Sequence, residues 1–200
     1  MKMVLASKNA HKLGEMRAIL GELGVEVVLE SDVGLDVDVE ETGTTFEENA
    51  ALKAKAVMEA GGLPAIADDS GLCVTSLGGG PGIYSARYGG EGLSDKQRYE
   101  LVLDGLKGQV DRSAKFVSVI ACAFPNGDLL TCRGECPGVI AHAPRGEDGF
   151  GYDPVFFVPE KKKTFAQMAP EEKNAISHRG VALRKFSGIL KEYLEKHGKE

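Results

Sequence analysis

Leu63-Pro64-Ala65-Ile66-Ala67 runs directly into Asp68-Asp69-Ser70-Gly71-Leu72. An unbroken apolar run of this length suits a buried strand. Two adjacent carboxylates at its end repel each other, and desolvation adds to the cost. Such a pair is most easily kept where a metal ion or a transferable proton makes use of it. Neighbouring side chains on a strand point to opposite faces. The two acids therefore diverge, one toward a site and one toward its support. Asp, Ser and Gly also form turns, so the same residues fit a surface loop. The expected layout is a strand over Pro64 to Ala67, an exit at Ser70-Gly71, and a second strand over Leu72 to Val74.

Outward from this stretch, apolar runs alternate with helical periods. Met3 to Ala6 and Val25 to Leu29 read as strands, with a helix from Lys12 to Leu23 between them. An acidic loop spans Asp32 to Glu41. Thr44 or Thr45 then caps a helix, with Glu47 or Glu48 completing a capping box. Phe46, Ala50, Ala54 and Val57 line its buried face. Gly78-Gly79-Gly80-Pro81-Gly82 is a loop. Ser94-x-x-Gln97 opens a helix that reaches about Leu106. Lys115 to Phe124 and Asp128 to Glu135 form a hairpin across Asn126-Gly127. Val155 to Val158 is a short strand, and Ser177 or His178 begins the last helix. The tail His197-Gly198-Lys199-Glu200 is expected to fray. The order is α/β, with an antiparallel segment in the middle.

The 200 residues fit one domain, perceptibly large enough for a full core. A net charge of −6 argues against a partner held through bulk phosphate contacts, so no nucleic acid polymer is expected. It leaves room for a small anion held by a few lysines and arginines. Cys73 and Cys122 lie in strand-like runs and read as core thiols. Cys132-x-x-x-Cys136 has no second pair at zinc-finger spacing. Nothing suggests a disulfide framework, and a reducing cytoplasm is the expected compartment. No apolar run is long enough for a bilayer, so no membrane partner is expected.

Several constellations are suited to chemistry. Ser7-Lys8-Asn9-Ala10-His11-Lys12 joins a strand to a helix, where free N–H groups and the helix dipole favour a phosphate. An N-capped helix with a solvated lysine is the plainer account of the same residues. Glu41 is placed to join Asp69 around Mg²⁺, because hard cations take carboxylate, water and phosphate oxygens. Asn49 and Lys53 share a helix face at i,i+4. Gly149-Phe150-Gly151-Tyr152-Asp153-Pro154 offers two aromatics, either as a stacking platform or as core plugs. His178 and Arg179 open the last helix, where cations oppose the dipole unless an anion or carbonyl is bound.

Taken in order, these motifs resemble the inosine triphosphate pyrophosphatase family. The resemblance rests on Ser7 to Lys12, Glu41 to Ala50, Ala67 to Leu72, Gly79 to Tyr88, Gly149 to Pro154 and Ser177 to Gly180. It implies an α/β fold, a mixed twisted sheet with flanking helices in two lobes around a central cleft. It implies one pyrophosphatase domain over residues 1–200, usually a homodimer. The implied reaction converts ITP, dITP or XTP to monophosphate and pyrophosphate with Mg²⁺. Asp68 and Asp69 would be the catalytic pair, with Asp69 as general base, and Glu41 with Asp69 would hold the metal. Ser7, Lys8, Asn9, Ala10, His11, Lys12 and Lys53 would line the phosphates, with Ser70 close by. Phe150, Gly151, Tyr152, Asp153, Lys173, His178 and Arg179 would hold the nucleoside. A related pyrophosphatase for other modified bases, and a silent nucleotide-binding protein, are the alternatives.

Overall fold

Met3, Val4 and Leu5 are fully buried on strand β1 (Lys2–Leu5). That continuous burial is expected of a strand covered on both faces of a parallel sheet. β1 pairs in parallel with β2 (Glu26–Leu29), Lys2 opposite Glu26 and Leu5 opposite Leu29. On its other side it pairs in parallel with β3 (Ala65–Val74), Val4 opposite Ala65. Parallel neighbours need crossover helices. Helix α1 (Ala10–Leu20) and helix α2 (Phe46–Gly61) supply them. The computed structural model describes Met1–His197, so the expected fraying of Gly198 to Glu200 lies outside the described residues.

The remaining elements are α3 (Asp95–Gly105), β4 (Ser113–Ala123), β5 (Leu129–Ile140), β6 (Phe156–Val158), β7 (Lys163–Thr164), α4 (Pro170–Ile176) and α5 (His178–His197). Among the described residues the strand order is β2-β1-β3-β4-β5-β6-β7. β6 runs antiparallel to both β5 and β7. The fold is thus mixed α/β, as the alternation of periods indicates. Thr45 caps α2 by accepting from the Glu48 N–H, and Ser94 with Gln97 forms the capping box of α3. No helix is long and apolar enough to cross a membrane, among the described residues.

The chain divides into two compact units. Unit 1 comprises Met1–Asp69, Ser118–Gly134 and the chain from Arg179 onward. Its core joins Met3, Leu5, Met16, Leu20, Ile66, Ile120 and the α5 residues Leu183, Phe186 and Leu190. Unit 2 comprises Ser70–Val117 and Glu135–His178. Its core is richer in rings: Phe116, Tyr152, Phe156 and Phe165 join Leu72, Val102, Leu106 and Ile140.

Three expectations need correction. β3 does not stop at Ser70-Gly71. It runs unbroken through the acidic pair, so the pleat itself sends Asp68 and Asp69 to opposite faces. The helix expected over Lys12 to Leu23 begins earlier, because Asn9 caps it, and ends in a 3-10 turn over Gly21–Leu23. Cys73 is half-buried rather than a core thiol, whereas Cys122 is buried; all four cysteines are free.

Candidate active site

Unit 1 gathers the charged residues. Lys53, on α2, donates to Glu41 Oε1 and to Asp69 Oδ1, both at 2.8 Å. It also donates to the Asp68 carbonyl oxygen at 3.1 Å. Lys12, on α1, donates to the same carbonyl at 3.2 Å and pairs with Asp68 Oδ1 at 2.6 Å. Asp68 Oδ2 accepts from Ser118 Oγ at 2.7 Å and from Arg179 Nε at 3.1 Å. Arg179 also pairs through NH1 with Glu15 Oε2 at 2.8 Å.

The adjacent acids therefore have opposite surroundings. Burial alone would push the Asp68 carboxyl up, but Arg179 and Lys12 hold it well below the usual carboxylate range. Both of its oxygens have partners, so it is a poor proton acceptor. Asp69 is raised, chiefly by burial, which Lys53 only partly offsets and to which the Glu41 and Asp68 charges add. Asp69 Oδ2 is buried with no hydrogen-bond partner. Such an orphan costs about 1–3 kcal/mol, which marks the oxygen as kept for something other than stability.

Glu41 is fixed by its neighbours in sequence. The Gly43 N–H donates to Asn49 Oδ1 at 2.8 Å, tying the turn after Glu41 to α2. A Cβ at Gly43 would lie 2.6 Å from that oxygen and 2.7 Å from Glu48 Cβ. Glycine is required there by close approach. Asn49 lies one turn before Lys53 on α2, so one helix positions both Glu41 and its partner.

The residues present fit Mg²⁺. Glu41 and Asp69 offer hard oxygen donors that converge on one cationic nitrogen, and Asp69 keeps a second oxygen unpaired. No group of three His, Cys, Asp or Glu side chains is assembled for a metal, among the described residues. Mg²⁺ takes one or two carboxylates together with water and substrate phosphates, so two protein carboxylates are enough for the fit.

The Ser7–Lys12 loop is a capped helix start. Asn9 Oδ1 accepts from the N–H groups of His11 at 2.9 Å and Lys12 at 3.4 Å. Ser7 Oγ accepts from the Asn9 N–H. The donors expected to cradle a phosphate at His11 and Lys12 are thus engaged by Asn9. Ala10 and His11 are exposed, and Lys8 pairs with Asp36 at the surface. Ser7 and Lys8 line a hollow of about 150 Å³ together with Lys53.

Unit 2 holds the other named residues. Lys173 pairs with Asp153 Oδ2 at 2.6 Å, and that oxygen also accepts from the Phe150 N–H. The Lys173 ammonium lies 4.8 Å from the Phe150 ring centroid and 5.5 Å from that of Phe165. His178 stacks on Phe116 at 4.6 Å. Tyr152, read as either platform or plug, is a plug: it is buried, and its hydroxyl donates to the Ser85 carbonyl. The Gly151 N–H donates to Asp95. Ser70 is half-buried on β3. Arg179, expected among the nucleoside residues, makes its Asp68 and Glu15 pairs within the acidic cluster of unit 1.

Ser118 and Glu15 were not singled out from the sequence. Ser118 has a signal, being the one hydroxyl within the apolar run Phe116-Val117-Ser118-Val119-Ile120. Glu15 has only its spacing of three from Lys12, which many surface helices share.

Comparison with known proteins agrees with these motifs. Residues 3–189 match the model of the Ham1 family. A dITP/XTP pyrophosphatase of Shigella flexneri is 50% identical, over 95% of this chain and 98% of that protein. The solved Ham1 protein of Coxiella burnetii superposes with a TM-score of 0.90 at 45% identity, covering 96% of this chain and 99% of the other. The Staphylococcus aureus Ham1 structure gives 0.89 at 44% identity, covering 96% and 100%. With a family match across nearly its whole length and relatives this similar, the chain belongs to the Ham1 family.

Proposed function

We propose that this protein is a nucleoside triphosphate pyrophosphatase that hydrolyses deaminated purine nucleotides, ITP, dITP and XTP, to the monophosphate and pyrophosphate. The two units act as a single catalytic domain. The observation that carries the reading is the contrast at β3: a saturated Asp68 beside an Asp69 with a raised pKa and one unpartnered, buried oxygen. A general base works best with a pKa lifted toward the operating pH.

Asp69 takes the proton of a water whose oxygen attacks the α-phosphorus as the bond to the bridging oxygen of pyrophosphate breaks. Glu41 and Asp69 would hold Mg²⁺, which supplies charge neutralisation at the phosphates. Lys53 adds positive charge where the leaving group becomes more anionic. Lys12 and Arg179 keep Asp68 ionised and fixed, and through the strand they fix Asp69. Phe150, Asp153, Lys173 and His178 take the nucleoside. Inosine and xanthosine present a carbonyl at the purine six position, and adenine an amine. A donor from His178 aimed at that carbonyl would be left unpaired by adenine, at about 1–3 kcal/mol. Free thiols suit a cytoplasmic enzyme, and the family resemblance favours a homodimer.

Pyrophosphate release from ITP, XTP, dITP, GTP and ATP, with and without Mg²⁺, tests the proposal. Cation-dependent release from ITP, dITP and XTP well above that from ATP and GTP is expected. Equal turnover of ATP would overturn the base assignment, and no turnover of any of them would overturn the activity.

A further inference from the structure

Lys53 does more in this geometry than wait for a phosphate. Its ammonium has three N–H donors, and three acceptors surround it: Glu41 Oε1, Asp69 Oδ1 and the Asp68 carbonyl oxygen, at 2.8, 2.8 and 3.1 Å. Two of the three belong to the carboxylates proposed to hold the divalent cation. Mg²⁺ binds oxygens at about 2.0–2.1 Å. An ion shared by Glu41 Oε1 and Asp69 Oδ1 would fall on the ground that the ammonium holds, and two cations do not share it. Lys12 is placed differently, because its ammonium pairs with Asp68 and not with either proposed ligand.

Resting on the metal reading above, we infer that Lys53 is a built-in counter-ion of the Glu41–Asp69 pair, which a divalent cation must displace, and that the substrate's phosphates drive the exchange by offering Lys53 new acceptors. Three features support it. Glu41 and Lys53 form a prebuilt piece, since Asn49 on the same helix pins the turn at Gly43. The Lys53 side chain lines a hollow of about 150 Å³ with Ser7 and Lys8, so there is room beside it for a phosphate oxygen. The side chain is only 15% exposed, so its pairs are shielded from the water that would weaken them. The functional consequence is ordered loading. The free ion binds weakly, and the cation–triphosphate complex binds well.

The test is Mn²⁺ binding to the nucleotide-free protein, read from the free-ion signal in electron paramagnetic resonance. Lys53→Gln is expected to tighten Mn²⁺ at least tenfold relative to the unaltered protein. Adding Glu41→Gln to that variant is expected to remove the gain. Lys8→Gln is the control for net charge: it removes the same charge from the same hollow, but Lys8 pairs with Asp36. Equal Mn²⁺ affinity with and without Lys53, including no detectable binding by either protein, overturns the inference. So does an equal gain from Lys8→Gln, which would show a general field effect. If Lys53→Gln tightens binding and Glu41→Gln fails to undo it, the metal assignment falls. If Lys53→Gln has no effect while Glu41→Gln weakens the unaltered protein, the metal assignment stands and the counter-ion role falls. Thermal melts check folding, and Lys53→Met serves the same test should the glutamine variant not fold.

Discussion

Each unit buries an Asp–Lys pair at 2.6 Å, Lys12–Asp68 in unit 1 and Lys173–Asp153 in unit 2, and the two are set in opposite surroundings. In unit 1, Lys12–Asp68 lies among further charges: Arg179, Lys53, Asp69, Glu41 and Glu15. In unit 2, Lys173–Asp153 lies among rings, with Phe150 and Phe165 beside the ammonium. A charge network can exchange partners with little change in total burial, which suits phosphates, a cation and a moving proton. A single pair among rings is rigid and shape-specific, which suits a planar group. On the function proposed above, reaction belongs to the first region and recognition to the second.

The largest effect should fall on Asp69. Asp69→Asn is expected to lower turnover of ITP about 10³-fold by removing the base. Its stability effect should have the opposite sign. The folded pKa of Asp69 lies above the unfolded value, so its contribution is favourable below the unfolded pKa and is lost as pH rises through the folded one. At neutral pH the carboxylate is a burden, and the asparagine variant should melt about 2–4 °C higher. Calorimetry with a turnover assay checks both, and near-native turnover would dissolve the distinction between the neighbouring acids.

Asp68→Asn should do the reverse. It takes the counter-charge from Lys12 and one of the counter-charges from Arg179 in a buried site, a loss of about 3–5 kcal/mol. The folded pKa of Asp68 lies below its unfolded value, so its stabilisation is complete above an unfolded pKa of about 3.9 and is lost as pH falls through the folded one. Denaturant midpoints of the unaltered protein should therefore fall below about pH 4, and those of Asp68→Asn should fall less steeply. Parallel acid limbs would remove Asp68 as the anchor.

That division of labour between the acids could not be read along the chain. Asp68-Asp69 stands out at once, and so does the strand before it. What separates the two is partners that lie 56, 50 and 111 residues away, at Lys12, Ser118 and Arg179. The parallel strands and α1, α2, α3 and α5 were legible, because each has a period, a cap or an apolar run. α4 has seven residues and β7 two, too few for a period to show. Tyr152 remained open between platform and plug, because an aromatic among glycines reads the same until the Ser85 carbonyl is found to take its hydroxyl.

A third change probes the ring-lined pair. Lys173→Met leaves Asp153 buried without its cation, and should cost about 3 kcal/mol of stability. Its functional effect should be selective. KM for ITP should rise about tenfold, while inhibition by pyrophosphate, which needs only the phosphate residues, should stay as it was. A matched loss in both measurements would mean that the two regions do not divide recognition from reaction.

The smallest effect is expected at Glu15, and it tests how tightly the charge network is coupled. Glu15→Gln keeps a hydrogen-bond acceptor for Arg179 NH1 and removes only the charge. Glu15 is partly exposed, so the pair is screened, and a loss of about 1 kcal/mol is expected. If the two acids share the Arg179 charge, the loss should be larger in Asp68→Asn, where Arg179 has already lost its other partner's charge, than in the native background. A double-mutant cycle by urea denaturation measures that coupling. A coupling energy of zero would mean that Arg179 serves Glu15 and Asp68 as two separate pairs, and that the acidic cluster is a set of neighbours with no common response.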